Sequence, residues 1–238
     1  MSARNKHQTC IYCRKVKKTT RDHVPPKLLL DKPFPSNLPT VPACRDCNQS
    51  FMKDDEYTRL LALDVRATNN TAAQSNLSAI VRSLQRPNAE GFVEYLANQS
   101  SDSTILGADG APMGRVTEVN KRRVDATGSR IVRGLYFIEL GRPLPEGAVL
   151  NVGCKDGLTP ADPDMQTIAR MMKQMPDHRH RAFGTAFSYM AGVGGGVSYW
   201  LMLLYDYFFW LATVDERNAS ERETFAPAQE RAGGLQMP

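Results

Sequence analysis

The sequence of 238 residues lacks several features that would assign it to a class at once. It contains no internal repeat, which excludes a solenoid or another repeat array. No signal peptide stands before its first cysteines, so we expect a cytoplasmic protein whose thiols are not oxidised to disulfides. Its formal net charge is only +5, so the chain as a whole gives weak support for a nucleic-acid partner.

Long apolar runs are also scarce, and the one at residues 197–214 does not have the composition of a membrane helix. It is about as long as a bilayer-spanning helix, but the charged Asp206 lies in its middle and aromatic residues dominate it. Among basic residues, only Arg217 lies close to its ends. We therefore predict two strands, 198–205 and 207–214, that pair with residues 182–192 in an antiparallel sheet, and no membrane partner.

Cysteine is sparse too, but four of the five cysteines form two C-x-x-C pairs, Cys10/Cys13 and Cys44/Cys47. Each pair lets two sulfur atoms reach one ion from a tight turn, and four thiolates make the tetrahedral set that zinc prefers. We therefore predict a structural zinc ion whose binding supplies much of the folding energy of this short segment. The remaining Cys154 is predicted to be a buried apolar residue.

Polar residues of another kind lie beside the two cysteine pairs. Asp22 and His23 stand between the pairs, and Asn48 follows the last cysteine directly. Holding zinc requires none of them. The side-chain oxygens of Asp22 and Asn48 suit a hard divalent ion such as Mg²⁺ or Mn²⁺. A histidine titrates close to neutral pH, so His23 is suited to accept a proton from an attacking water molecule.

The stretches CIYC, TRDHVPP, SNLPTVPAC and CRDCNQSF, taken in this order, resemble the zinc-ribbon form of the HNH nuclease family. The resemblance reaches to about residue 55, and it departs from the family at Asn48, a position that is often histidine. It implies a ββα-metal module that hydrolyses DNA phosphodiester bonds, with double-stranded DNA favoured. It also implies that His23 is the general base, that Asn37 orients His23, and that Asp22 and Asn48 bind Mg²⁺, Mn²⁺ or another divalent ion.

Each of these assignments has a simpler alternative. The cysteines could form disulfides, and His23 could be a surface or supporting histidine. Asn37 could be only a turn residue, and Asn48 could be only a helix cap. At the level of the whole protein, the alternatives are a zinc ribbon that binds nucleic acid or protein without cutting, and a nuclease effector restrained by its C-terminal domain, as in bacterial defence or toxin systems.

Positive charge is concentrated in the first part of the chain. Residues 1–53 contain eleven Lys and Arg against three Asp and Glu, whereas residues 54–238 contain nineteen against twenty-two. We predict that the basic residues beside the first cysteine pair contact phosphates. These residues are Arg14, Lys15, Lys17, Lys18 and Arg21. A second basic group, between 121 and 133, is more consistent with a solvated helix face.

The predicted fold class is α+β, in four parts. Residues 1–58 form the HNH module, 59–100 a helical connector, 101–215 an α+β domain of unknown role that ends in an antiparallel sheet, and 216–238 a disordered tail. Within these parts, 98–114 is predicted to be a loop, and 115–140 a helix broken near 127–129. A protein partner or ligand of the C-terminal domain, and a homo-oligomer, are left open.

Overall fold

The structure is a computed structural model, and it describes residues 7–62, 70–106, 112–117, 119–155, 163–217 and 219. Most of the predicted tail, 216–238, lies outside these residues. The α-helices are α1 (Arg45–Ser50), α2 (Met52–Leu61), α3 (Thr71–Leu84), α4 (Glu90–Gln99), α5 (Lys121–Leu140) and α6 (Pro163–Lys173). The strands are β1 (His7–Thr9), β2 (Val16–His23), β3 (Thr40–Cys44), β4 (Ser100–Leu106), β5 (Pro112–Thr117), β6 (Val149–Lys155), β7 (Asp177–Phe183), β8 (Phe187–Gly194), β9 (Val197–Leu204) and β10 (Phe208–Asp215). The predicted α+β class is confirmed.

The N-terminal part is a small antiparallel sheet in the order β1-β2-β3, followed directly by α1. In its central hairpin, Asp22 pairs with Val41 and His23 pairs with Thr40. Both candidate residues therefore lie at the C-terminal end of β2, next to the connection to β3. A backbone hydrogen bond of 3.1 Å from Val24 N–H to the carbonyl of Pro39 extends the pairing by one residue. The order β2-β3-α1 is the ββα order that the sequence predicts. We refer to residues 7–50 below as the zinc module.

The middle of the chain contains two helices, as predicted, and a pair of strands that was not predicted. The two helices α3 and α4 fall in the predicted connector, and Asn70 caps α3 by accepting hydrogen bonds from Ala72 and Ala73 N–H. Of the predicted loop 98–114, residues 107–111 lie outside the described residues, whereas 100–106 and 112–114 belong to β4 and β5, which pair as a two-stranded antiparallel ribbon. The Ser, Asp and Gly content that favours a loop is also tolerated in a short hairpin with irregular register.

The helix α5 is continuous, so the predicted break near 127–129 is wrong. Gly128 is needed for a close approach: a Cβ atom there would lie 2.6 Å from Cδ1 of Trp210. Further along the helix, a Cβ atom on Gly134 would lie 2.5 Å from a methyl group of Val24. Gly141 ends the helix in the left-handed conformation, with φ of 71°. Through Gly128 and Gly134, α5 packs closely against both the C-terminal sheet and the zinc module.

The C-terminal sheet has five antiparallel strands in the order β6-β10-β9-β8-β7. The predicted strand 182–192 is in fact the end of β7, a turn and most of β8. Both faces of the sheet are covered: Trp200 and Trp210 face the main core, whereas Leu201 and Phe209 pack with Met165 and Met172 of α6. Strands covered on both faces read as a nearly continuous apolar run, which explains why 197–214 has the hydropathy of a membrane segment.

In the part of the chain that the structure describes, no helix combines the length and the apolar composition that crossing a bilayer requires.

The zinc module and the C-terminal sheet share one main hydrophobic core. It contains Val24 and Val41 of the zinc module, Tyr57 of α2, Leu135 of α5 and Trp200 of β9. The predicted boundary at 58 falls inside α2, and the one at 100 falls at the start of β4. The division into domains stays a prediction.

Candidate functional site

The four cysteines of the two C-x-x-C pairs come together in the zinc module. Their sulfur atoms all lie within 4.8 Å of one another, and Sγ of Cys13 is 3.9 Å from Sγ of Cys44. Zn–S bonds of about 2.3 Å in a tetrahedron place the sulfurs about 3.8 Å apart, so the cluster fits a zinc ion. All four are free thiols, which does not support the disulfide alternative.

Local backbone geometry brings the first pair into place. In the turn after Cys10, Arg14 N–H donates to the Cys10 carbonyl at 2.8 Å, and Arg14 adopts a left-handed conformation with φ of 60°. Ile11 N–H donates to the carbonyl of Pro42 at 3.1 Å, which ties this turn to β3, the strand that ends at Cys44 of the second pair. Although burial disfavours ionisation, the Lys15 backbone N–H and the neighbouring thiols lower the pKa of Cys13 to about 7.

Asp22 is buried, with only 4% of its surface exposed. A metal ligand that faces a substrate would instead be open to solvent. Its Oδ2 accepts a hydrogen bond of 2.6 Å from the Tyr12 hydroxyl and one of 3.2 Å from Nε of Arg130. Its Oδ1 forms a close ion pair with Nη2 of Arg130. Both carboxylate oxygens are therefore occupied by groups from elsewhere in the chain.

Arg130 extends this contact into a buried ionic cluster. It enters from the middle of α5, is 5% exposed, and also pairs closely with Oδ2 of Asp55 from α2. Its guanidinium carbon lies 5.0 Å from the ring centre of Phe51. Burial raises the pKa of Asp55 to about 7, although the charge of Arg130 opposes that shift. We call Asp22, Asp55 and Arg130 the ionic cluster.

Asn48 lies at the edge of the ionic cluster. It is the fourth residue of α1 and is therefore not its cap, which is Cys44. Its Oδ1 accepts from Nη2 of Arg130 at 3.4 Å, and its Nδ2 donates to Oγ1 of Thr20 at 3.4 Å. The structure thus brings Asp22 and Asn48 together, as the resemblance implies, but around a guanidinium group. In this arrangement they do not fit a divalent ion, and their role as ligands stays a prediction.

His23 is half-buried at the end of β2, and its imidazole makes no hydrogen bond within residues 7–62. Burial is the main reason that the pKa of His23 is lowered; the charge of Lys27 adds to this effect and that of Asp22 opposes it. The imidazole is consequently neutral at pH 7, with a nitrogen lone pair able to accept a proton.

Asn37 lies in the exposed turn between β2 and β3. Among residues 7–62, no hydrogen bond joins its side chain to His23. The loop is held instead by backbone contacts, from Val24 N–H to Pro39 and from Leu38 N–H to Pro35, both at 3.1 Å. The orienting role of Asn37 stays a prediction without a contact to support it.

The predicted basic residues do not form one uniform patch. Lys15, Lys18 and Arg21 are exposed. Lys17 is bound to Asp46 at 2.8 Å, and Arg14 has a carboxylate oxygen of Glu146 at 4.0 Å. Three of the five side chains are therefore exposed, and their contact with phosphates stays a prediction.

Sequence reasoning missed several residues around this site. Tyr12, Asp55 and Arg130 complete the buried surroundings of Asp22. Tyr12 lies in the motif CIYC but was given no role, and no local motif marks Asp55 or Arg130. It also missed a cleft of about 440 Å³ whose lining includes Lys27, the residue whose charge acts on His23. Three further basic residues, Lys32, Arg59 and Arg82, line this cleft. The positive charge of residues 1–53 was the available signal for Lys27 and Lys32.

Comparison with known proteins yields no match to a protein-family model, to a curated protein or to a solved structure. The resemblance to the HNH family therefore stays a prediction that rests on the motifs and on the geometry described above.

Proposed function

We propose that this protein is an HNH-type endonuclease that hydrolyses phosphodiester bonds, most readily in double-stranded DNA. The observation that carries the proposal is the placement of His23. A half-buried imidazole with a lowered pKa stands at the end of a hairpin that a four-cysteine cluster supports, with exposed basic residues nearby. A module that only binds nucleic acid gains nothing from a neutral histidine in that position.

The chemical role of His23 follows from its protonation state. A neutral imidazole accepts a proton from a water molecule as that water attacks phosphorus. Because the pKa of His23 is lowered, we expect cleavage to rise with pH, with a midpoint below the ordinary histidine value of 6.5. Lys27 and Arg21 supply positive charge near the same imidazole and favour an anionic phosphate there.

A divalent ion remains part of the proposal. Mg²⁺ or Mn²⁺ would neutralise the phosphate and stabilise the leaving oxygen. Asp22 and Asn48 are the residues proposed to hold it, and both are bound to Arg130 in the present arrangement. The zinc ion proposed for the cysteine cluster has a structural role and takes no part in the reaction.

The ionic cluster favours a second candidate function. If Arg130 stays in place permanently, the zinc module is a nucleic-acid-binding unit that does not cut, with Asp22 serving only to attach it to α5. The exposed Lys15, Lys18 and Arg21 would then account for binding without any reaction.

The experiment that separates the two candidates is a cleavage assay with zinc-loaded protein in excess over plasmid or single-stranded DNA. Incubation for hours with Mg²⁺, Mn²⁺ or EDTA detects even a slow reaction. We expect nicked or linear plasmid with one of the two ions and none with EDTA. Tight DNA binding with intact DNA under every condition, for wild-type protein and for an Arg130→Gln variant, would contradict the endonuclease and support the binding module.

A further inference from the structure

The guanidinium of Arg130 occupies the space between Asp22 and Asn48. Its Nη2 atom lies 3.4 Å from Oδ1 of Asn48 and closer still to Oδ1 of Asp22. These are the two oxygens that a divalent ion in this module would use. One nitrogen atom of the protein therefore contacts both of the oxygen atoms that would hold such an ion.

Several contacts hold Arg130 in this position. Its Nε and Nη2 atoms donate hydrogen bonds to the two carboxylate oxygens of Asp22, and Nη1 donates to Asp55. The Tyr12 hydroxyl fixes the carboxylate of Asp22 from another side, at 2.6 Å. Arg130 belongs to a helix whose neighbouring residues Ile131 and Val132 are fully buried, so its backbone cannot withdraw without loss of the core. Only the long side chain is free to turn away.

The charge balance of the ionic cluster is incomplete. Two carboxyl groups, those of Asp22 and Asp55, share one guanidinium in a buried place, so a single positive charge faces two acidic groups. Oδ1 of Asp55 is buried. A divalent ion would balance both carboxylates, and oxygen ligands are those that Mg²⁺ and Mn²⁺ prefer. Arg130 has half that charge, but it is tethered to the site.

We propose that Arg130 is an internal cation that competes with a divalent ion for Asp22 and Asn48, and so holds this site in a metal-free resting state. Substituting Arg130 opens a divalent-ion site at these residues. The competition between Arg130 and a divalent ion concerns metal binding alone and does not depend on the proposed function. Only its consequence, that α5 restrains the nuclease, rests on the proposed function.

The test measures Mn²⁺ binding rather than cleavage. Zinc-loaded wild-type protein and the Arg130→Gln variant are titrated with Mn²⁺, and the free hexaaqua ion is quantified by electron paramagnetic resonance. Arg123→Gln is the matched control, because Arg123 also lies on α5 and pairs with a carboxylate, that of Asp54 at 2.9 Å. We expect Arg130→Gln to bind Mn²⁺ at least about tenfold more tightly than both other proteins. Adding Asp22→Asn should remove this gain.

Equal Mn²⁺ affinity in folded Arg130→Gln and wild-type protein would overturn the proposal. If Arg130→Gln does not fold because two carboxylates are left unpaired, the double variant Arg130→Gln/Asp55→Asn removes one of those charges and takes its place. Should this variant also need Mn²⁺ to fold, the dependence would support the proposal. Failure to fold with or without Mn²⁺ would count against it, since Arg130 would then be purely structural.

The outcomes separate this proposal from the endonuclease. A gain of Mn²⁺ affinity without cleavage by any protein supports the internal cation and contradicts the nuclease. Cleavage by wild-type protein that depends on His23, with no gain of affinity in Arg130→Gln, supports the nuclease and overturns the internal cation.

Discussion

The zinc module and the C-terminal sheet are stabilised in different ways. The module spans 44 residues, and its own apolar contribution to the core is small, with Ile11, Val24, Val41 and a few others. It depends on four cysteines and on the pairing of Asp22 with Arg130. The sheet instead buries both tryptophans, most of its tyrosines and phenylalanines, and has a helix on each face.

This difference shows where the chemistry can be placed. A segment held by a metal ion and charged contacts can keep polar side chains close to its surface, because it needs little apolar area. A sheet covered on both faces has no such freedom. The helix α5 connects the two regions, with Gly134 packed against Val24 of the module and Gly128 against Trp210 of the sheet. Variants that disrupt the zinc module or the C-terminal sheet one at a time test whether the two regions are stabilised separately.

The largest effect should follow from loss of zinc. Structural zinc sites contribute about 10–16 kcal/mol of apparent binding free energy. We therefore expect Cys44→Ser to lose zinc and to unfold residues 7–50, measured as metal content and as susceptibility to limited proteolysis. Tryptophan fluorescence should change little, because Trp200 and Trp210 both lie in the sheet.

Cys154→Ser is the matched control for this prediction, since Cys154 lies on β6 outside the cysteine cluster. It should retain zinc and the protease resistance of the module. Zinc-free protein with an intact module would show that the four cysteines are not its main source of stability.

A smaller but still large effect is expected at Asp22. Removing one partner of a buried ion pair costs about 3–5 kcal/mol, because the other charge is left without compensation. We expect Asp22→Ala to lower the free energy of unfolding by that amount in urea denaturation. Asn48→Ala, which removes only hydrogen bonds of 3.4 Å, should cost about 1 kcal/mol or less. If Asp22→Ala leaves the free energy of unfolding unchanged, this carboxylate is open to solvent and not bound to Arg130.

The two glycines of α5 allow each interface to be loosened alone. Overpacking costs about 1–3 kcal/mol, and the better helix propensity of alanine recovers up to about 1 kcal/mol of that. Gly134→Ala should increase hydrogen exchange in the zinc module, whereas Gly128→Ala should shift the emission of Trp210, its direct neighbour. If both variants disturb both regions equally, the two regions unfold as one unit.

The smallest effect concerns affinity for DNA. Neutralising the exposed Lys15 and Lys18 should weaken binding and reduce the slope of log affinity against log salt by about one unit for each phosphate that is no longer bound. Lys121→Ala/Arg122→Ala, on the exposed start of α5, is the matched pair. An unchanged slope in the first variant and a reduced one in the second would place the DNA along α5.

Much of the module could be predicted from the sequence, because its information is local. The C-x-x-C spacing predicts the cysteine cluster, and the resemblance to the HNH family implies the order β2, β3 and α1. The two strands of the apolar run could be predicted from the charge of Asp206, which lies in the turn between β9 and β10. These features depend on residues that are close together in the chain.

The surroundings of Asp22 could not be predicted in the same way. Arg130 is 108 positions from Asp22, and no spacing rule connects a basic residue of a helix with a carboxylate of a distant strand. The glycine at 128 was misinterpreted for a related reason. Glycine in a helical pattern indicates either a break or a close approach, and only the position of Trp210 decides between them.

The most direct test of the central claim is the single-turnover rate of DNA cleavage by His23→Ala at saturating protein. We expect the variant to retain zinc, fold and DNA affinity, and to cleave about a hundredfold or more slowly than wild-type protein, because it lacks its general base. His178→Ala, at an exposed position of β7, should cleave at the wild-type rate. Cleavage by His23→Ala at the wild-type rate would contradict the assignment of this site as the centre of an HNH-type nuclease.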